Sequence, residues 1–301
     1  MKNEYVFNPK KAGTVYRAIA NAYLNKDYVF SKPKILLPDE KIPKHIEKQT
    51  AEHATYLFTI APLNKREVSF QILDRFRWYC EDNPGFLTLD NILMVSEDEI
   101  VRILKNEIGG GFYNVRAKAI KNNFEVLKRD YDSDPRKIFN GSPVRDSIEK
   151  VSREFREYGI KTASMLALWF EKYRLAKFQD PENLLPAIDI HKMRISRMTG
   201  VIDFELGTRI RDILERDFAF KLSEFCRKTA KTKNPVSIRA LDEALWIIGS
   251  EVCAQKSIVQ CQNYCPVYSG CSREFFTEKK KVTMPAKKVK GHGQNSFWFG
   301  K

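Results

Sequence analysis

Four of the six cysteines of this 301-residue chain, Cys253, Cys261, Cys265 and Cys271, stand close together, separated by seven, three and five residues. Chance scattering would not gather them so. Neighbouring thiolates repel one another and are tolerable only around a cation, so the run points to a bound metal centre. A structural zinc site usually shows paired Cys-x2-Cys knuckles, and none is present; zinc and an iron–sulfur cluster both stay open on spacing alone. Cys80 and Cys226 lie apart from the run in apolar helical contexts and read as ordinary buried thiols. A second stretch with chemical capacity is EYGIKTA, Glu157 to Ala163. A tight turn that opens a helix leaves backbone N–H groups unpaired at the positive end of the helix dipole, a geometry suited to phosphate.

The elements that must position these residues are helical. One helix is expected from Ser142, with Pro143 at its first position and Val144, Ile148, Val151 and Phe155 on one face. It turns at Tyr158-Gly159 into a second helix, apolar almost all round through Ala163, Met165, Leu166, Leu168, Trp169 and Phe170, and therefore buried. Upstream, Gly13 to Leu24 is a short amphipathic segment, followed by a connector rich in proline from Ser31 to Pro43. Residues 51–79 are helical with one break at Pro62, and Ser96 caps a helix that carries three acidic residues in its first turn. IGGGFYNVRAKAI, Ile108 to Ile120, places three glycines before an aromatic pair and a basic helix. Two further helices are expected over Phe204 to Phe225 and Ile238 to Ile248.

GIKTA followed by IDIHKMR resembles the helix-hairpin-helix and catalytic-aspartate segments of the endonuclease III superfamily of DNA glycosylases. By that resemblance, Lys161 is the amine that attacks the sugar of an extruded nucleotide and Asp189 the assisting carboxylate. Gly159, Ile160 and Thr162 would hold the DNA backbone at the hairpin. GFYNVRAKAI is similar to the segment whose apolar residue wedges into the base stack, which implies that role for Phe112, with Arg116, Lys118 and Lys121 facing phosphates. The cysteine run resembles the family's four-cysteine loop, one residue longer in each of the first two gaps, and implies a [4Fe-4S] cluster on Cys253, Cys261, Cys265 and Cys271, with zinc as the alternative. Two departures stand out. Glu157 occupies the hairpin's first glycine position, and the stretch between Lys161 and Asp189 is longer than the family's, implying an insertion around Lys172 to Asn183. The family's contact to the orphaned partner base falls near Ala61, Pro62 and Asn64.

The formal charge is +14, and the segment from Ser272 to Lys301 holds eight Lys and Arg against two Glu. Such a balance favours a polyanion partner, because neutralised phosphates release counterions. No run of about 18 apolar residues exists, and MKNEYVFNPKK lacks the apolar core of a signal peptide. An intracellular protein is expected, acting on double-stranded DNA as a monomer and without a membrane.

The expected fold is all-α and two-lobed: a helical barrel over 55–182, and a second lobe joining 1–54 to 183–275 with the cluster loop. Residues 276–301 are expected to be a basic, disordered tail, and its aromatics Phe297, Trp298 and Phe299 have no assigned role. The expected activity is a DNA glycosylase with AP-lyase activity. Two alternatives stand beside it. One is a monofunctional glycosylase in which Asp189 activates water, the other a noncatalytic DNA-binding protein that keeps the hairpin and the metal centre.

Overall fold

The computed structural model describes residues 5–32, 35, 37–63, 69–204 and 214–273. Asn64 and the segment 274–301, with Phe297, Trp298 and Phe299, lie outside the described residues. The chain opens with a short strand, β1 (Tyr5–Phe7), and then α1 (Pro9–Asn25), whose start is set by Asn8: its side chain accepts the Lys11 N–H at 3.0 Å, with proline at the first helical position. Val15, Tyr16 and Ile19 on α1 are buried, the stripe that helical spacing demands. Helices α2 (Ala51–Leu63), α3 (Ser69–Asp82), α4 (Leu89–Met94), α5 (Glu97–Ile103) and α6 (Tyr113–Asp130) follow. Ser96 caps α5 as its sequence suggests, accepting the Glu99 N–H at 3.1 Å.

The hairpin helices are α7 (Val144–Glu154) and α8 (Ile160–Lys172), and α9 (Ile190–Met198) begins at Asp189. After β2 (Ile202–Phe204) come α10 (Ala219–Thr229), α11 (Ile238–Ile247) and α12 (Ile258–Tyr264). Among the described residues the fold is all-α apart from one antiparallel ribbon, in which Tyr5, Val6 and Phe7 of β1 face Phe204, Asp203 and Ile202 of β2. That ribbon ties the N-terminal segment to the later part of the chain. Tyr16 adds a hydrogen bond of 2.7 Å to Ser196 on α9, and α1 lies along α11.

In the middle of the chain α8 packs on α2 and α7, and α5 on α6. The buried residues form one continuous apolar cluster that runs from α1 to the cysteine loop. Helix α2 runs on through Pro62 to Leu63, and both Ala61 and Pro62 are buried, so neither stands on an exposed loop where a partner base could be met. The stretch between α8 and α9 folds back on the start of α7. Asp180 accepts the Val144 N–H at 2.6 Å, supplying the cap that Pro143 cannot, and Asn183 donates to Asp180 at 2.7 Å. Among the described residues no helix is long and apolar enough to cross a membrane.

Candidate active site

The hairpin is held from behind by α6. Asn123, buried there, donates to the Arg156 carbonyl at 3.0 Å and accepts the Arg156 N–H at 2.7 Å, so both backbone groups of the turn residue are fixed by one side chain. Tyr158 stacks on Phe58 with ring centroids 5.3 Å apart and donates its hydroxyl to the Phe58 carbonyl. Glu157 sits in the left-handed region with φ 62°, the conformation that a glycine would adopt at little cost. The turn therefore forms despite the missing glycine, at some backbone strain. Gly159 is exposed and extended, and no side chain caps α8, which leaves its first turn open to an acceptor.

Lys161 is the second residue of α8 and half-buried. Asp189 is the N-cap of α9: its Oδ1 accepts the Lys192 N–H at 2.9 Å, while its Oδ2 lies 3.7 Å from the Lys192 ammonium. The same ammonium is 3.3 Å from Oδ1 of Asp242 on α11. Asp242 Oδ1 in turn accepts the Ala187 N–H at 2.8 Å, on the segment leading into Asp189. Burial pushes the Asp189 carboxyl up, but the positive charges of Lys192 and Lys161, with His191, outweigh it and hold the group below the usual carboxylate value. Burial raises Asp242 to about 6, against the pull of Lys192 and with added repulsion from Asp189. Lys192 is kept protonated, because the two carboxylates offset its own burial.

His191 is pushed below its usual value chiefly by burial. Its imidazole lies edge-on to Trp246 at 6.3 Å and packs against Gly249, where an added Cβ would come within 2.3 Å of the His191 Cβ. It is packed between α9 and the turn after α11.

No protein-family model matches the sequence, and no curated protein does. Among solved structures, a thermostable thymine-DNA glycosylase aligns over 88% of this chain and 96% of its own at 15% identity, with a TM-score of 0.53. The chain has the helix-hairpin-helix DNA glycosylase fold. The 8-oxoguanine DNA glycosylase of Methanocaldococcus jannaschii (TM-score 0.49, 15% identity, 81% of this chain and 98% of that one) and that of Thermotoga maritima (0.48, 17%, 80% and 97%) are also similar.

Within this glycosylase fold, the residues expected along the DNA face divide into two groups. Phe112 is 55% exposed at the tip of the glycine loop, in the left-handed region at φ 51°, and Val115 beside it is 52% exposed. Lys118 is exposed as well. Arg116, in contrast, is buried under the loop: a Cβ on Gly110, itself at φ 91°, would fall 2.3 Å from its Nη1. Lys121 also turns inward, donating to the carbonyls of Ile92, Leu93 and Val95 at 3.1, 2.7 and 2.7 Å, and so closes the C-terminal end of α4. Neither side chain lies on an exposed face, which corrects the expectation of a phosphate contact; each is spent on holding the loop and α4 in place. Thr162 is buried and Ile160 half-buried, so the open part of the hairpin is its backbone at Gly159.

Lys192 and Asp242 escaped the sequence reading. The available signal was a charged residue where the helix period calls for an apolar one: Lys192 lies three residues after the Asp189 cap, and Asp242 follows Leu241 on a helix otherwise buried through Ala244 and Leu245.

The four cysteines of the run lie on a succession of short elements. Cys253 starts a short turn (Cys253–Gln255), Cys261 lies in α12, Cys265 ends that helix, and Cys271 follows the turn Tyr268–Gly270. None is in a disulfide, and Cys253, Cys261 and Cys265 are buried. Burial pushes Cys253 and Cys265 up to about 12, and in each case neighbouring thiols of the same run push further. Among the described residues, no three or more His, Cys, Asp or Glu side chains are arranged to hold a metal ion. By its chemistry an all-sulfur donor set suits an iron–sulfur cluster or zinc. Cys80 and Cys226 are buried apart from the run, and burial raises both thiols.

Proposed function

We propose that this protein is a DNA glycosylase with AP-lyase activity, with Lys161 as nucleophile and Asp189 as the assisting carboxylate. The observation that supports this reading is that Asp189, at the start of α9, is held below the usual carboxylate value by charges that include Lys161, which stands in the open first turn of the hairpin's second helix. The basic balance of the chain supports a DNA partner, and the exposed Phe112 supports base extrusion, since an apolar side chain filling the gap offsets an unstacking cost of a few kcal/mol.

In the reaction, the neutral amine of Lys161 attacks C1′ of the extruded nucleotide. The glycosidic C1′–N bond breaks, and its electron pair leaves with the base. Asp189 stabilises the positive charge that develops on the sugar and assists removal of the amine proton. The sugar ring opens to a Schiff base on Lys161. Loss of a C2′ proton then expels the 3′-phosphate by β-elimination. Cys253, Cys261, Cys265 and Cys271 would hold a [4Fe-4S] cluster, whose role is to shape the loop after α12 rather than to take part in the chemistry. The lobe division at 55–182 and 183–275, with 1–54 joining the second lobe, is part of the same proposal. It is supported by the packing of α1 on α11 and by the β1–β2 ribbon.

The test is borohydride trapping on duplexes carrying an abasic site, a G·T mismatch, 8-oxoguanine or 3-methyladenine, with Lys161→Ala alongside. A covalent adduct that vanishes in the variant is the expected result. Base release without an adduct would move the reading to a monofunctional enzyme in which Asp189 activates water. DNA binding with neither product on any duplex would leave a noncatalytic binder.

A further inference from the structure

Helix α11 presents two consecutive acids to two different helices. Asp242 reaches Lys192 on α9, and Glu243 reaches Lys172 at the far end of α8, 3.1 Å away. The two helices that carry Lys161 and Asp189 are thus both gripped by α11. Of the two lysines, Lys192 is the more deeply buried, with 2% of its side chain exposed. An apolar residue would fill that position at no electrostatic cost, whereas a buried ammonium is stable only with partners. Its partners are unusual in one respect. Lys192 touches both oxygens of Asp189, Oδ1 through its backbone N–H at 2.9 Å and Oδ2 through its ammonium at 3.7 Å. The ammonium cannot swing away, because Asp242 holds it at 3.3 Å and is itself pinned by the Ala187 N–H at 2.8 Å.

We propose that Lys192 and Asp242 form a positioning pair for Asp189, fixing the direction of its carboxylate and keeping it ionised beside Lys161. This rests on the proposed glycosylase function, and it adds two residues whose part is played through Asp189 rather than on the DNA. The charged groups facing Asp189 are Lys161 from α8, His191 and Lys192 from α9, and Asp242 from α11; Arg194 acts on His191, and Glu243 faces the other way, toward Lys172 and Tyr23. With Lys192 removed, Asp189 and Asp242 would lose the cation they share, and their like charges would make each easier to protonate, Asp189 included. A protonated Asp189 cannot stabilise a positive sugar. Formation of a Schiff base on a ready-made abasic aldehyde makes no such demand, so the two activities should separate.

The experiment compares wild type, Lys192→Met, Lys192→Arg and the double variant Lys192→Met/Asp242→Asn on two substrates. One is the duplex of the panel above from which wild type releases a base; the other is the abasic duplex. For Lys192→Met, single-turnover base release is expected to fall about 100-fold, the scale on which a positioned acid–base group contributes. Adduct formation on the abasic duplex is expected to stay within about threefold. The acidic limb of the base-release profile should move to higher pH. Asp242→Asn in the same chain should restore about tenfold, since it removes the repulsion on Asp189. Lys192→Arg, which keeps the cation, should retain the wild-type limb, and it carries the test if Lys192→Met does not fold. Unchanged release and an unmoved limb in a folded Lys192→Met protein would overturn the proposal, as would equal losses on both substrates. A carboxyl 13C titration of Asp189 without DNA runs in parallel. A midpoint below the ordinary aspartate value that rises in Lys192→Met is expected; a midpoint indifferent to residue 192 would sink the pair even if wild type proved to have no activity on any duplex, a result that by itself overturns only the glycosylase reading.

Discussion

Two lysines flank α11, Lys192 buried and Lys172 half-buried, and they are held in different ways. Lys172, at the end of α8, has Asp39 at 2.8 Å, Glu243 at 3.1 Å and Glu40 at 3.4 Å, with 13% of its side chain exposed. Tyr173 donates to Asp39 at 3.0 Å and Tyr23 to Glu243, so the cluster joins the N-terminal segment, α8 and α11 in one network. Three acids around one lysine give redundancy: each carboxylate has another partner, and no single one must point in a given direction. Lys192 has two acids and almost no exposure, and one of those acids is also the cap of the helix that carries it. The first arrangement fits a fastener. The second fixes one carboxylate in direction and charge, which is what a site needs and a fastener does not.

The largest effect that would sharpen this contrast is on stability. Lys172→Met leaves Asp39, 2% exposed, without its cation, and is expected to cost about 3–5 kcal/mol in urea unfolding. Base release per folded molecule should stay within about threefold of wild type. A folded Lys172→Met protein that had lost its activity as completely as Lys192→Met would erase the distinction between the two clusters.

A smaller effect lies in pH dependence. The folded Asp242 value of about 6 stands above the ordinary 3.8, so its contribution to stability is full below about pH 4 and is lost as pH rises through 6. Asp189 has the opposite sign: held below the ordinary value, its contribution is present above that value and is lost as pH falls through the folded one. Asp242→Asn is therefore expected to gain about 2–3 kcal/mol relative to wild type between pH 4 and pH 7, measured by urea unfolding at each pH. A difference that does not vary with pH would mean that Asp242 is not the strained member of its cluster.

The smallest stability effect is expected where neither cluster reaches. Phe112→Ala at the exposed loop tip should leave stability within about 0.5 kcal/mol and weaken binding to a duplex with an extrudable base about tenfold, measured by fluorescence anisotropy. Equal binding by both proteins would remove Phe112 from the DNA face.

Much of this molecule was legible in its sequence because the features concerned are local. The Ser96 cap with its acidic first turn, the apolar stripe of α7, the buried α8 and the aspartate at the start of α9 all follow from spacings of a few residues, and all are present. The gathering of four cysteines is equally a matter of short spacing. Charge along the chain was a poorer guide. Arg116, Lys118 and Lys121 read as one basic face, yet only Lys118 is exposed, since the loop over Gly110 and the end of α4 draw the other two inward. Nothing near Glu157 announced that a non-glycine would take the left-handed turn; Asn123 and the stack of Tyr158 on Phe58 fix the backbone on either side of it.

The sequence by itself determined the helices of the hairpin, the Ser96 cap, and a lysine and an aspartate each at the start of a helix. Only the tertiary structure decided which charges meet. Asp242 finds Lys192, and Glu243 finds Lys172, because α11 packs between helices far away in the chain. The reason is physical: a cap is made by atoms that covalent geometry already holds close, whereas a buried ion pair exists only after the core has excluded water and brought distant elements together.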